Sequence, residues 1–264
     1  MRLRSPGAEK NPAYLRTINI SLLTERGSFT KKEVHLPNLS FAVEGVEAVA
    51  FSAAPLLVFK LRVTNADPDE LVQSVALRCQ LQIEATHRKY STAEQDRLLD
   101  LFGTPDRWSR TLRPMLWTHA TATVKPFSGD TLVELPVSCT FDFNVAATKY
   151  FAGLDDGEVP LNLMFSGTTF YEAGDQGLQI EQIPWDRECR YRMPVSVWKD
   201  MMEVYYPNSA WLCLGRDAFD KLAQYKSSRG IPTWDEAIES IIPAADFRKE
   251  PEDGDLTIGG SLPS

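Results

Sequence analysis

Residues 116–124 contain the side chains whose types and spacing best suit a binding site. Alternate side chains of an extended strand point to opposite faces, so Trp117, His119, Thr121 and Thr123 are predicted to share one face. An aromatic ring, an imidazole and two hydroxyls on an outer sheet face can bind a sugar or a partner protein. The competing interpretation, which we favour, is that C-terminal helices cover this face and that Trp117 packs beneath them.

A second group of aromatic side chains lies towards the C-terminus. They are Tyr205, Tyr206, Trp211, Phe219 and Trp234. Such side chains are typical of protein interfaces, and equally typical of a small helical layer docked on a sheet, so both interpretations stay open. Tyr205 and Trp211 therefore join Trp117 and His119 as the candidate binding residues.

The four cysteines contain no Cys-x-x-Cys pair and the three histidines are scattered, so no metal site is predicted. Cys79 and Cys139 fall on inward strand faces 60 residues apart, which suits an immunoglobulin-type disulfide between two sheets. The tryptophans between them come later than that fold places its tryptophan, and no export signal is recognised. We therefore predict two buried thiols rather than a disulfide.

No catalytic residue and no cofactor is predicted, because the chain lacks the short motifs of nucleophile-elbow hydrolases, phosphate-binding loops, dinucleotide-binding folds and zinc proteases. The net charge of −8 argues against a nucleic-acid binder. Residues 183–193 interleave arginines with aromatics but carry both signs of charge, which favours a solvated edge with ion pairs. No apolar run reaches the roughly 18 to 20 residues that a membrane helix needs.

The elements that would position these residues are strands in the middle of the chain. Apolar side chains alternate with polar ones along residues 57–64, 75–85, 133–143 and 161–165. This alternation favours antiparallel sheets with one buried and one solvated face. Turn residues separate the runs, so residues 40–192 are predicted to form a β-sandwich, immunoglobulin-like or related, of seven or eight strands.

Helical signals interrupt and follow the strands, so the fold class is α+β. Ser91 and Glu94 form a capping box, and the helix that they open is predicted to end at Gly103 and to plug one end of the sandwich. The spacing of Trp198, Met201, Met202 and Tyr205 predicts an amphipathic helix. Two further short helices complete a helical layer over residues 193–243, predicted to pack on the sandwich.

Both ends of the chain differ in charge from its body. Residues 1–35 carry seven basic and three acidic side chains, a net charge of +4, so the rest carries −12. We expect residues 1–39 to be a loosely ordered basic segment and residues 244–264 to be a flexible acidic tail. No secretory leader is recognised, which predicts a cytoplasmic protein.

Several stretches resemble an uncharacterised bacterial family of unknown function. They are the run Tyr206–Leu214, the run Arg229–Trp234, the run Gly157–Gly167, and Phe170 with Tyr171. The likeness extends over about residues 41–242. Genes of that family often neighbour those of high-affinity nickel-iron hydrogenases, so the resemblance implies an accessory role. It implies no activity and no functional residues.

Three functions are consistent with these patterns. The leading hypothesis is a non-enzymatic accessory factor that binds another protein, with a component of hydrogenase maturation, assembly or electron delivery as the partner that the resemblance implies. The second is a sandwich that binds a carbohydrate or other small ligand through the face of Trp117 and His119. The third is a structural component of a larger assembly, and the sequence leaves the oligomeric state open.

Overall fold

A computed structural model describes residues 36–140, 145–173 and 177–242. Within these ranges the chain forms eight β-strands in two antiparallel sheets and seven α-helices. The predicted α+β sandwich is therefore confirmed. The predictions for residues 1–35 and 244–264 lie outside the described residues.

The smaller sheet has three strands in the order β1-β2-β5: β1 is Leu39–Ala48, β2 is Leu56–Asn65 and β5 is Asp130–Ser138. The larger sheet has five. Its strands are β3 (Val72–Ile83), β4 (Met115–Val124), β6 (Glu158–Glu172), β7 (Leu178–Gln182) and β8 (Glu188–Pro194). β3 lies between β4 and β6, and the long β6 pairs first with β8 and then with β7.

The helices occupy three places in the chain. α1 (Thr92–Arg97), α2 (Leu99–Phe102) and α3 (Trp108–Thr111) form the connection between β3 and β4, which are neighbours in one sheet. α4 (Val145–Gly153) precedes β6. α5 (Val195–Tyr205), α6 (Arg216–Ser228) and α7 (Trp234–Glu239) follow β8.

The alternation in the sequence corresponds to burial in the structure. In β3, Leu77, Cys79, Leu81 and Ile83 are buried between the sheets, while the side chains between them are exposed or half-buried. Burying a large apolar side chain contributes about 1.5–3 kcal/mol, so this pattern fixes which face of each strand points inward.

Cys79 and Cys139 both lie in the core, and all four cysteines are free thiols. The prediction of buried thiols rather than a disulfide is confirmed. Burial raises the pKa of the Cys139 thiol to about 12, so this group is protonated and unreactive at neutral pH.

A column of aromatic rings joins the helices to the core. The hydroxyls of Tyr90 and Tyr150 lie 2.9 Å apart, and the Tyr150 ring contacts Phe151 of α4 edge-on at 5.8 Å. Phe151 in turn packs edge-on against Trp117 at 4.9 Å and stacks on Trp198 of α5 at 5.2 Å. The β3–β4 connection, α4 and α5 therefore share one packed unit with the sandwich.

The predicted capping box at the start of α1 is confirmed and extends into a buried ion pair. Besides capping Ser91, the Glu94 carboxylate accepts hydrogen bonds from the backbone N–H of Asp155 at 2.9 Å and from Arg88 Nη2 at 2.6 Å. Arg88 also donates to the carbonyls of Asp156 and Glu158 at 2.7 Å each. This network fastens the β3–β4 connection to the start of β6.

We predict that Glu94→Gln lowers the free energy of unfolding by about 3 kcal/mol at pH 7, because it leaves the buried Arg88 uncompensated. Burial opposes the charged form, but hydrogen bonds from Asp155, Ser91 and Arg88 together lower the pKa of Glu94. A lowered pKa stabilises the fold above about pH 4.3, and this stability is lost as the pH falls through the folded-state value.

Urea denaturation between pH 3 and pH 8 measures this effect. The difference between wild type and Glu94→Gln should shrink on acidification, when the carboxyl is protonated. The matched control is Asp96→Asn, an exposed carboxyl on the same helix, which should change little. A difference that does not depend on pH would contradict the prediction.

A glycine brings β6 close to β3. Gly167 has a φ of +142°, and a Cβ at this position would lie 2.1 Å from the carbonyl oxygen of Ala76. Only glycine adopts this conformation without strain, and only glycine leaves room for that oxygen.

We predict that Gly167→Ala lowers the free energy of unfolding by about 3 kcal/mol, since it combines a strained φ with an overlap between β3 and β6. Thermal unfolding followed by circular dichroism measures the loss. Gly45→Ala in β1 is the control, since its Cβ would meet nothing within 4 Å. Equal effects of the two substitutions would show that the close approach at Gly167 has no energetic weight.

Candidate partner-binding site

Trp117 lies inside the sandwich, not on its outer face. The register between β3 and β4 shifts between Leu81, which lies opposite Thr118, and Gln82, which lies opposite Leu116, so a β-bulge falls at Trp117. The ring is 3% exposed and packs edge-on against Phe59 of the smaller sheet at 6.1 Å.

The prediction that Trp117 and His119 share an outer face is therefore wrong. A bulge adds one residue to a strand and changes which face the next side chain takes. The competing interpretation was correct in predicting that Trp117 is buried. However, the ring packs between the sheets and against α4 rather than beneath a C-terminal layer. His119 remains exposed, with its Nε2 3.3 Å from Gln80 Oε1.

Tyr205, the last residue of α5, positions a loop. Its hydroxyl lies 3.2 Å from the carbonyl oxygen of Val49 and 3.0 Å from that of Ser52, and shares its proton between them. The loop carries Phe51, whose ring is fully exposed and whose φ is +60°. A non-glycine residue in this conformation costs on the order of 1–3 kcal/mol, so the loop displays an apolar side chain at some cost.

A cleft of about 490 Å³ opens beside α5, between α4 and the residues that follow α5. Trp198 and Met202 line its apolar part, and Lys149 and Glu203 lie among its charged residues. Trp211 closes one side, packed edge-on against Tyr206 at 4.8 Å and still 45% exposed. Trp211, one of the four candidate binding residues, thus lines this cleft.

Residues 207–242 form a C-terminal arm with little buried surface. α5 packs against β1, β8 and α4, whereas α6 and α7 contact mainly each other. Phe219 and Trp234 pack at 5.5 Å between ring centres, and Tyr225 Oη lies 3.1 Å from Ser240 Oγ. No residue of α6 is fully buried, and Ala237 is the buried residue of α7. The sequence predicted one layer over residues 193–243; the structure places α5 on the sandwich and leaves α6 exposed.

Large apolar side chains project from this arm into solvent. They are Trp211, Leu212, Leu214, Phe219, Trp234, Ile241 and Ile242. Leu212 is 71% exposed. Soluble monomers rarely leave so many large apolar groups uncovered in one segment, and such patches mark sites of interaction. The aromatic content of the arm was evident from the sequence, but the sequence did not show that α6 and α7 are not packed on a sheet.

No three His, Cys, Asp or Glu side chains come together as a metal site anywhere in the described ranges. In the same ranges, no helix is both long and apolar enough to cross a membrane.

We predict that Tyr205→Phe frees the β1–β2 loop while keeping the ring in place. Loss of the shared hydrogen bond should lower the free energy of unfolding by about 1 kcal/mol and speed amide exchange at residues 50–54. Hydrogen exchange followed by mass spectrometry measures the exchange rates of the loop, which should rise, and those of β3, which should not change. Tyr206→Phe is the matched control; an equal effect from both variants would mean that the Tyr205 hydroxyl does not hold the loop.

Three solved structures are distantly similar to this chain. A protein described as late embryogenesis abundant (LEA) is 14% identical, with a TM-score of 0.28 over 62% of this chain and 76% of its own. A β-glucosidase from Kluyveromyces marxianus is 6% identical, with a TM-score of 0.20 over 60% of this chain and 15% of its own. The ApaA protein from Bordetella pertussis is 9% identical, with a TM-score of 0.23 over 61% of this chain and 97% of its own.

Among curated proteins no significant match is found. A family model does match, over residues 36–250, which includes the sandwich, α5 and the whole C-terminal arm. The family resemblance expected from the sequence is thereby confirmed. The chain belongs to DUF6084, a family of unknown function.

Proposed function

We propose that this protein is a non-enzymatic accessory factor that binds another protein through its C-terminal arm. The observation that carries the proposal is the row of large apolar side chains that α6, α7 and the segment before them leave exposed. Covering such a side chain contributes about 1.5–3 kcal/mol, so a partner that covers several gains enough to bind stably after the cost of association.

The short helices of the arm and their few buried contacts support a role in binding. α6 and α7 are short, and helices of this length are marginal in water without a surface to pack on. Their contacts with each other include a small core around Ala237, the Phe219–Trp234 ring pair and the Tyr225–Ser240 hydrogen bond. A bound partner would supply the missing apolar surface and stabilise both helices.

The charges of the arm favour a protein over a membrane surface. Residues 207–242 carry four basic and five acidic side chains, a net charge of −1. Anionic lipid surfaces select basic segments, whereas interfaces between proteins combine an apolar centre with a rim of both signs. The partner is therefore expected to present an apolar groove with a mixed polar rim.

The specific partner that we propose is a component of hydrogenase maturation, assembly or electron delivery. This choice rests on the family resemblance of residues 206–214 and 229–234, much of which lies within the arm. The cytoplasm is the compartment that we propose, in keeping with the free thiols.

The two alternatives make different demands. Carbohydrate binding at the Trp117 and His119 face required an exposed tryptophan on which a sugar ring stacks, and the buried Trp117 removes that support. A structural component of a larger assembly requires a stable oligomer of this chain, which light scattering measures directly.

We predict that the double variant Leu212→Ser, Leu214→Ser reduces partner recovery at least tenfold. Both side chains are exposed, so the substitutions should not disturb the fold. Each substitution removes apolar area from the proposed contact. The measurement is quantitative mass spectrometry of proteins that co-purify with the tagged full chain from its host. Hydrogenase components should be enriched with the wild type and depleted with the variant.

The control is Leu178→Ser, Ile180→Ser, two exposed apolar side chains of β7 outside the arm. It should retain the partner. Equal recovery with all three proteins would contradict the role of the arm. Arm-dependent recovery of proteins unrelated to hydrogenase would keep the binding surface and overturn the specific partner.

A further inference from the structure

We infer that the outer face of the larger sheet holds an oxyanion-binding site centred on Arg78. This site lies apart from the C-terminal arm and does not depend on the function proposed for it. The ligand that fits is a small molecule with a phosphate or carboxylate group.

The site is a depression built by the register of three strands. Ala76 of β3 lies between Thr123 of β4 and Thr168 of β6, and the next outward residue, Arg78, lies between Thr121 and Ser166. The small side chain of Ala76 leaves a hollow that its larger neighbours surround. The hollow measures about 580 Å³.

The floor of the hollow is held firmly. Gly167 places the backbone of β6 against the carbonyl of Ala76, as described above. The carbonyl of Gly167 accepts a hydrogen bond from the N–H of Ile183 at 3.0 Å. Positions on paired strands are fixed more tightly than positions on loops, so the groups around the hollow are arranged before a ligand arrives.

The polar groups that line the hollow suit a negative ligand. They are the guanidinium of Arg78, the hydroxyls of Thr121, Thr123, Ser166 and Thr168, and the amide of Gln182. Gln182 Nε2 donates to Thr168 Oγ1 at 3.1 Å, which leaves the hydroxyl proton of Thr168 to donate elsewhere. None of the residues lining this hollow is acidic.

The pairing of Arg78 differs from that of its counterpart on the other sheet. On the outer face of the smaller sheet, Arg62 forms ion pairs with Glu44 and Asp130. Across residues 36–140, 145–173 and 177–242, no carboxylate pairs with Arg78, although the whole protein carries a net charge of −8. Arg78 thus keeps its planar fork of donors available.

A guanidinium binds phosphate or carboxylate oxygens through two parallel hydrogen bonds, and neighbouring hydroxyls can supply further donors. Because the site is open to solvent, water and salt weaken each charged contact, so binding should be modest and should depend on ionic strength. Hydroxyls that both donate and accept also suit a ligand with hydroxyl groups of its own.

The test is a titration of the full chain with inorganic phosphate and, separately, with acetate, followed by ¹H–¹⁵N NMR at constant ionic strength. At least one anion should give saturable shifts at residues 76–78, 121–123 and 166–168. Arg78→Gln should weaken the apparent affinity at least tenfold. Arg62→Gln, which removes an arginine from the opposite face, should leave the affinity unchanged.

Dispersed spectra of both variants establish that they fold. Saturation with phosphate alone would identify a phosphate-bearing ligand, and saturation with acetate alone a carboxylate. Shifts that do not saturate, that spread over the whole surface, or that persist in Arg78→Gln would overturn the proposal.

Discussion

The buried contact between Arg88 and Glu94 holds the longest connection of the fold in place. Removing a carboxylate and a guanidinium from water is costly, and hydrogen bonds to their remaining groups offset part of that cost. Glu94 accepts hydrogen bonds from two backbone N–H groups, and Arg88 donates to two backbone carbonyls. The Nε of Arg88 is buried without a partner among the described residues. The aromatic column from Tyr90 to Trp198 packs the same connection against α4 and α5.

Local patterns in the sequence predicted those parts of the fold that depend on interactions between residues near each other in the chain. The strands followed from alternation in β3, the start of α1 from the capping box at Ser91, and α5 from its apolar spacing. The placement of Trp117 did not follow, because a bulge depends on how two strands pair. The partners of Arg88 at Asp156 and Glu158 lie about 70 residues away, so no local signal revealed them.

The two surfaces described for this protein differ in their chemistry, and both depend on how elements distant in the sequence pack together. A sheet face is polar where strand register brings hydroxyls and Arg78 together, and that register becomes visible only once the strands are paired. The surface of the arm is apolar because its helices do not pack their apolar side chains against a sheet. The sequence identified the aromatic content of the arm, including Trp211, but amphipathic spacing alone does not distinguish a helix that covers a core from one that awaits a partner.

Tyr205 attaches the end of α5, from which the arm extends, to the sandwich. Its hydrogen bonds to Val49 and Ser52 attach the end of α5 to the loop that joins β1 and β2. Residues 206–215, which form no helix or strand, connect α5 to α6. Any movement of α6 and α7 relative to the sandwich, towards a bound protein, therefore has its hinge in these ten residues.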